Sequence, residues 1–159
     1  MRIGIGYDSH RFAPGRRLVL GGVELPGEEG LAGHSDADAV AHALTDAVLG
    51  AAGLGDIGTH FHPGDPRWKD ADSIQLLRAA VGLLAGENYQ VVNADVTVVC
   101  ERPRLAEHIG AMRERLAAAI GIAPTHVSVK AKTNEGMGWI GRGEGMAAIA
   151  VALVAAMED

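Results

Sequence analysis

A chain of 159 residues, 48% apolar, 21% charged and only 4% aromatic, reads as one domain over 1–159 with a core of Val, Leu, Ile and Ala, long enough to bury roughly two-thirds of its unfolded surface. The net charge of −6 excludes a broad nucleic-acid-binding face, which needs a basic surface. No signal peptide is legible, the longest apolar stretch (Met146 to Met157) is too short to cross a bilayer, and the lone Cys100 excludes an internal disulfide and suits a reducing cytoplasm.

Residues 2–8 read as a short strand carrying Ile3 and Ile5. A hairpin-like piece follows, Val19-Leu20, then Gly21-Gly22, then Val23-Glu24-Leu25. Pro26 to Gly33 is a Gly-rich loop. Ser35 or Asp36 can cap a helix reaching about Gly50, with Val40, Leu44, Ala47 and Val48 at helical spacing. Gly53 to Asp65 is a long Gly-rich loop, and long loops in compact domains usually carry function. A second helix begins near Asp72-Ser73, its stripe being Ile74, Leu77, Val81 and Leu84. In the strand Val91 to Cys100, Ala94, Val96, Val98 and Cys100 face one way, and Asn93, Asp95 and Thr97 the other.

Pro103 suits the first turn of a third helix with a stripe of Leu105, Ile109, Met112, Leu116 and Ile120, closed by Gly121. Val127, Val129 and Ala131 mark a further half-buried strand. The tail from Gly145 to Met157 is open to two readings: alanine content favours helix, while Ile149, Val151 and Leu153 alternate as in a strand. The expectation is an α+β fold, a four-stranded sheet with three helices on one face. The other sheet face then needs covering, most simply by a second copy of the chain.

Chemistry concentrates in a few places. Asp8 and His10, two apart on a strand, point to the same side and supply two ligands of a three-ligand metal site. His42, on the acid-rich helix, is a candidate third, and two imidazoles with one carboxylate suit zinc, with a position left open. Asp38, His42 and Asp46 share a helix face, so either acid can orient the imidazole or merely be solvated. Ser35 at a helix N-terminus can cap it, bind phosphate with His34, or both. Gly55-Asp56-Ile57-Gly58 allows close backbone approach to a ligand and is also ordinary turn chemistry. Lys130 to Glu135 brings two lysines, the Thr133 hydroxyl and a carboxylate to a strand end. Those are the parts of phosphoryl transfer, or of a solvated terminus. Arg142 and Glu144 either pair across subunits or bind an anion.

Five motifs in order are Gly6-x-Asp8-x-His10, His34-Ser35-Asp36-x-Asp38-x3-His42-Ala43-x2-Asp46-Ala47, Gly55-Asp56-Ile57-Gly58, Lys130-Ala131-x-Thr133-x-Glu135 and Gly141-Arg142-Gly143-Glu144-Gly145. Together they resemble, over nearly the whole chain, the 2-C-methyl-D-erythritol 2,4-cyclodiphosphate synthases of the non-mevalonate isoprenoid pathway. The resemblance implies a lyase: the substrate is 4-diphosphocytidyl-2-C-methyl-D-erythritol 2-phosphate, its 2-phosphate attacks the β-phosphorus, and CMP leaves. It implies a mixed sheet, with the apolar tail as a strand, assembled around a threefold axis in a homotrimer whose active sites lie between subunits.

Further implications concern individual residues. Zn²⁺ is expected on Asp8, His10 and His42, and Mg²⁺ or Mn²⁺ at Glu135 with the substrate diphosphate. His34 and Thr133 match the positions that steady the transition state. Asp8, Ser9, His10, His34 and Ser35 are expected to bind the substrate, with Asp56, Ile57 and Gly58 at the methylerythritol. The segment Cys100, Glu101, Arg102, Pro103, Arg104, Leu105 and Ala106, with Lys132, Thr133, Asn134 and Glu135, is expected to enclose the cytidine and its phosphates. Phe61, His62, Pro63, Gly64 and Asp65 occupy a substrate loop but depart from the usual Phe-Pro-Asp-x-Asp. Ala37 stands where glycine is frequent, and Arg104 replaces a frequent lysine. Tyr7, Trp139 and Arg142 fall at an axial cavity where the family binds isoprenoid diphosphates. A zinc phosphohydrolase, or a non-catalytic nucleotide-binding trimer, would use many of the same pieces.

Overall fold

In the computed structural model, which describes residues 1–158, the first strand, β1 (Arg2–Ala13), runs past the end expected at residue 8. Gly4 and Gly6 are buried, while Ile3, Ile5 and Tyr7 stand out on the opposite face. The hairpin forms as expected from β2 (Leu18–Leu20) and β3 (Val23–Leu25) around Gly21-Gly22. The loop after it is not wholly irregular, because β4 (Gly30–Leu31) pairs with the far end of β1.

Helix α1 (Ala39–Ala52) starts later than a cap at Ser35 or Asp36 would place it. Its N-cap is Asp38, whose backbone is extended and whose carboxylate accepts the Ala41 N–H at 3.0 Å. The same carboxylate accepts the Gly21 and Gly22 N–H groups at 2.8 and 2.7 Å, so the cap also fastens the hairpin to the helix. Gly53, in the left-handed region at φ 76°, closes the helix.

The long loop contains a single helical turn, α2 (Ile57–His60), capped by Asp56, and is followed by a 3-10 turn at Pro66–Trp68. Helix α3 (Ser73–Gly86) begins where expected, with Asp72 as its cap, and buries Ile74, Leu77, Ala80 and Leu84, with Val81 partly covered. Strand β5 (Tyr89–Val99) alternates as read: Ala94, Val96 and Val98 are buried and Asn93 and Asp95 exposed. Helix α4 (Ile109–Ile120) begins well beyond Pro103, after a 3-10 turn at Ala106–His108. The intervening segment is held elsewhere, since Glu101 accepts the backbone N–H groups of Asn134 and Gly136. Then come β6 (Val127–Lys132), the one-turn α5 (Gly138–Gly141) and β7 (Gly145–Ala156).

The described residues form a mixed five-stranded sheet, in the order β4-β1-β7-β5-β6, beside the β2–β3 hairpin. The expected four strands are all present, and the two-residue β4 is the fifth. Only the β5–β6 pair is parallel. The ambiguous tail is the central strand. Pairing with β1 on one side and β5 on the other outweighs the helical preference of its alanines.

Helices α1, α3 and α4 cover one face of this sheet, and α1 lies especially close. A Cβ on Gly4 would sit 2.0 Å from the Ala47 carbonyl oxygen, and one on Gly6 1.9 Å from that of Ala43. Ala148, Ala150 and Ala152 of β7 extend this small-residue floor. The other face keeps Ile3 and Ile5 about 70% exposed, with Tyr7 and Ile149 beside them. Among the described residues no helix is long and apolar enough to cross a membrane.

Candidate active site

Continuing the alternation of Gly4 and Gly6, Asp8 and His10 also face α1, where His42 occupies the first turn. Asp8 Oδ2 lies 2.7 Å from His10 Nε2 and 3.2 Å from His42 Nδ1, and the two nitrogens are 3.3 Å apart. A tetrahedral zinc ion with bonds near 2.0–2.2 Å separates its ligands by about 3.3 Å. The donor set therefore fits zinc with a small widening of one edge, and it leaves a position for substrate.

The electrostatics match. Burial raises the Asp8 pKa, but His10 and His42 beside it outweigh burial and the net shift is downward. For His10 burial acts to lower the pKa, yet Asp8 and the Ala32 carbonyl turn the shift upward. His10 Nδ1 donates to that carbonyl at 2.7 Å, which leaves Nε2 directed at the site.

The acids expected to orient His42 do something else. Asp38 is spent on the helix cap and hairpin, because it precedes the helix rather than lying on its face. Wholly buried, it has its pKa pushed up to about 6, chiefly by desolvation. Asp46 accepts the Ile57 N–H at 2.7 Å and anchors α2. The partners of His42 Nε2 are two hydroxyls, Ser73 Oγ at 2.8 Å and Ser35 Oγ at 3.1 Å. Ser73 was not legible as a site residue, since its sequence neighbourhood signals only a helix start.

Next to these donors is a largely apolar pocket of about 210 Å³, lined by His10, His34, Ser35, His42, Ile57, Gly58, Phe61, Pro63, Trp68 and Leu76. Trp68 and Leu76 had no sequence signal beyond hydrophobicity. Phe61 packs edge-on to Trp68 at 5.2 Å. Ser35 Oγ accepts the Ala37 N–H at 3.2 Å, and Ala37 itself has φ 57°, which explains why glycine suits that position. His34 Nε2 sits 3.4 Å from the Asp65 carbonyl. Asp56 is occupied as the α2 cap, and its hydrogen bonds to Thr59 lower its pKa. In the divergent loop, Asp65 pairs with Arg67 at 2.6 Å and His62 accepts the Gly64 N–H.

A second group of expected residues gathers elsewhere. Cys100 N–H donates to the Lys132 carbonyl, and Glu101 fixes the turn after β6, tying residues 100–106 to 132–136. Cys100 is buried, with its thiol pKa pushed up by desolvation to about 11. Thr133 Oγ1 is 3.3 Å from Glu135 Oε1, and Lys130 pairs with Asp95. Arg102 reaches Glu29 and lies over the Phe12 ring, Arg104 is exposed, and Leu105 is buried. Arg142 pairs with Glu144 at 2.7 Å, beside a cleft formed with Ser9, His10, Arg11 and Trp139. In the sheet, Ser9, Ala147, Val99 and Lys132 form one row across β1, β7, β5 and β6. Three strand spacings put the backbone of Lys132 about 14 Å from that of Ser9.

A one-sided α+β sheet that sets an N,N,O donor group able to hold a metal ion beside a pocket suits an enzyme of small substrates. The chain matches the YgbB family model over residues 1–155 and belongs to that family. It is 63% identical over 155 residues to the 2-C-methyl-D-erythritol 2,4-cyclodiphosphate synthase of Symbiobacterium thermophilum, covering 98% of this chain and 99% of that one. The fold superposes with TM-score 0.89 on a solved 2C-methyl-D-erythritol-2,4-cyclodiphosphate synthase in a CDP-bound form (38% identity, 97% of this chain, 100% of that one). Against the bifunctional IspDF from Campylobacter jejuni the TM-score is 0.95, at 38% identity, over 99% of this chain and 42% of that one.

Proposed function

We propose that this enzyme, a single domain over 1–159, converts 4-diphosphocytidyl-2-C-methyl-D-erythritol 2-phosphate to the 2,4-cyclodiphosphate and CMP, as a phosphorus–oxygen lyase. The observation that carries the reading is the open donor set of Asp8, His10 and His42 beside the Ile57–Phe61 pocket, in a chain of this family.

An oxygen of the substrate 2-phosphate forms the new bond to the β-phosphorus. The bond from that phosphorus to the α–β bridging oxygen breaks, and CMP departs with the electron pair. The attacking group belongs to the substrate, so the chain needs no nucleophile; its work is alignment and charge neutralisation. Alignment of reacting groups contributes on the order of 7–11 kcal/mol at best. Asp8, His10 and His42 would hold a zinc ion, which would supply Lewis-acid polarisation of a phosphate. His34 and Ser35 present donors to the same phosphates, and Ile57, Gly58 and the Phe61–Trp68 pair exclude water around the methylerythritol. Thr133 steadies the transferring phosphate, Glu135 would hold the Mg²⁺ or Mn²⁺ that neutralises diphosphate charge, and residues 100–106 with Lys132 enclose the cytidine.

The three strand spacings, about 14 Å, between the Ser9 and Lys132 backbones support Thr133 and Glu135 meeting the Asp8, His10 and His42 set across subunits. The exposed Ile3, Ile5, Tyr7 and Ile149 support a homotrimer closed on that face. Tyr7, Trp139 and Arg142 then border an axial cavity suited to an isoprenoid diphosphate, and the free Cys100 suits the cytoplasm. The test is incubation with the substrate and Mg²⁺. CMP with a cyclic diphosphate in equal amounts is expected; a linear phosphate from water attack would refute the synthase reading.

A further inference from the structure

We infer that Asp36 and Ser73 are positioning residues of the metal centre, holding His42 with its proton on Nε2 and its Nδ1 lone pair aimed between Asp8 and His10. The inference rests on the metal-dependent reading above and adds two residues to it.

The direction of each hydrogen bond follows from donors that have no choice. Asp36 Oδ2 accepts the backbone N–H of Ser73 at 3.1 Å, and Asp36 Oδ1 accepts that of Asp38 at 3.1 Å. Amide N–H groups only donate, so both carboxylate oxygens are acceptors. The Ser73 hydroxyl, which also contacts Asp36 Oδ1, is therefore the donor there. It has one proton, and that proton is taken. Toward His42 Nε2, 2.8 Å away, Ser73 Oγ offers only lone pairs, so Nε2 carries the hydrogen. Ser35 Oγ, 3.1 Å from the same nitrogen, can accept from it too.

That arrangement frees Nδ1, the atom 3.2 Å from Asp8 Oδ2 and 3.3 Å from His10 Nε2. The Ala32 carbonyl fixes His10 in the opposite tautomer. Two imidazoles are thus set to present different nitrogens to one point. A purely structural account of the Ser73 hydroxyl is weak, because α3 is already capped by Asp72, which accepts the Ile74 N–H at 2.9 Å. Ser73 is also completely buried, so water does not compete for its hydroxyl.

The experiment measures Zn²⁺ affinity of the metal-stripped full chain by competition with a chromophoric chelator, alongside ¹⁵N spectra of labelled histidine. Ser73→Ala should lower affinity roughly 10–100-fold, the usual effect of removing an outer hydrogen-bond partner. Ser73→Thr, which retains the hydroxyl, should recover affinity. Asp36→Ala should lose it as well, since the Ser73 hydroxyl proton then has no carboxylate to bind and is free to turn onto Nε2. Wild-type spectra at alkaline pH should show neutral His42 protonated on Nε2, a reading that needs no variant and no metal. Neutral His42 protonated on Nδ1, or a folded Ser73→Ala protein binding Zn²⁺ within twofold of wild type, would overturn the inference. A wild-type chain that binds no Zn²⁺ yet shows the Nε2 proton would instead sink the metal-dependent reading and leave the hydrogen-bond polarity standing.

Discussion

Substituting Gly6 by alanine tests whether close contact between β1 and α1 sets the metal centre. The added Cβ would lie 1.9 Å from the Ala43 carbonyl oxygen and 2.8 Å from the Ala47 nitrogen, where real Cβ atoms keep at least 3.0 Å. The obstacle is helix backbone, so no side chain can swing aside, and α1 must retreat by about 1.1 Å, the shortfall between 1.9 and 3.0 Å. Overpacking of this kind costs roughly 1–3 kcal/mol, which for a chain of this length lowers the melting temperature by about 2–12 °C. His42, next to Ala43, moves with the helix, while Asp8 stays with the strand. Their 3.2 Å contact then opens past 4 Å if the retreat is along the line between them. Thermal unfolding at fixed protein concentration, paired with zinc competition, reads both effects. Gly82→Ala is the control: nothing lies within 4 Å of its Cβ in mid-helix α3, so it should gain about 0.5–1 kcal/mol. A Gly6→Ala protein that melts within 1 °C of wild type and binds zinc normally would refute the reasoning.

Further outcomes can be checked. Asp38→Ala removes a helix cap and leaves the Gly21 and Gly22 N–H groups unpaired, for a loss of about 3 kcal/mol by denaturant unfolding. Because the Asp38 pKa rises from 3.8 to about 6, the folded state binds more protons there over that window, so this group's contribution falls as pH rises; the variant should lack that slope. Zinc must displace a proton from His10, whose pKa is raised above 6.5, so affinity should climb through and beyond that pH by up to one decade per unit; a flat profile contradicts the ligand assignment. Without metal the sign reverses: stability from protonated His10 is full below 6.5 and is lost as pH rises through the folded value. Finally, unfolding and co-refolding equal amounts of inactive His42→Ala and Thr133→Ala chains should restore about one quarter of wild-type activity if each site takes one group from each neighbour. No recovery, with mixed oligomers verified by mass spectrometry, would place both groups' work within one chain.

Local periodicity made the central features legible. Asp8 and His10 could be paired from parity alone, and the buried positions of β5 and α3 followed from spacings of two and of three to four residues. What escaped was set by distant partners. Asp38 looks like a helix-face residue until its carboxylate caps α1 at the Ala41 N–H and also accepts the hairpin amides. The alanine tail becomes a strand because it has two neighbours to pair with, and β4 is too short to carry any period. Ser73 meets His42 across 31 positions of chain, a contact no local pattern announces.

The alternation of β1 limits how this chain can vary in length. On one side of the strand lie Gly4 and Gly6 under α1, then Asp8 and His10; on the other lie Ile3, Ile5 and Tyr7. One residue inserted between Gly6 and Asp8 would send Asp8 and His10 to the outer face while the glycine floor kept its place under α1. Insertions there should be viable only in pairs, or where a bulge absorbs the odd residue. By contrast, the turn at Gly15, where an added side chain meets nothing within 4 Å, is free to lengthen.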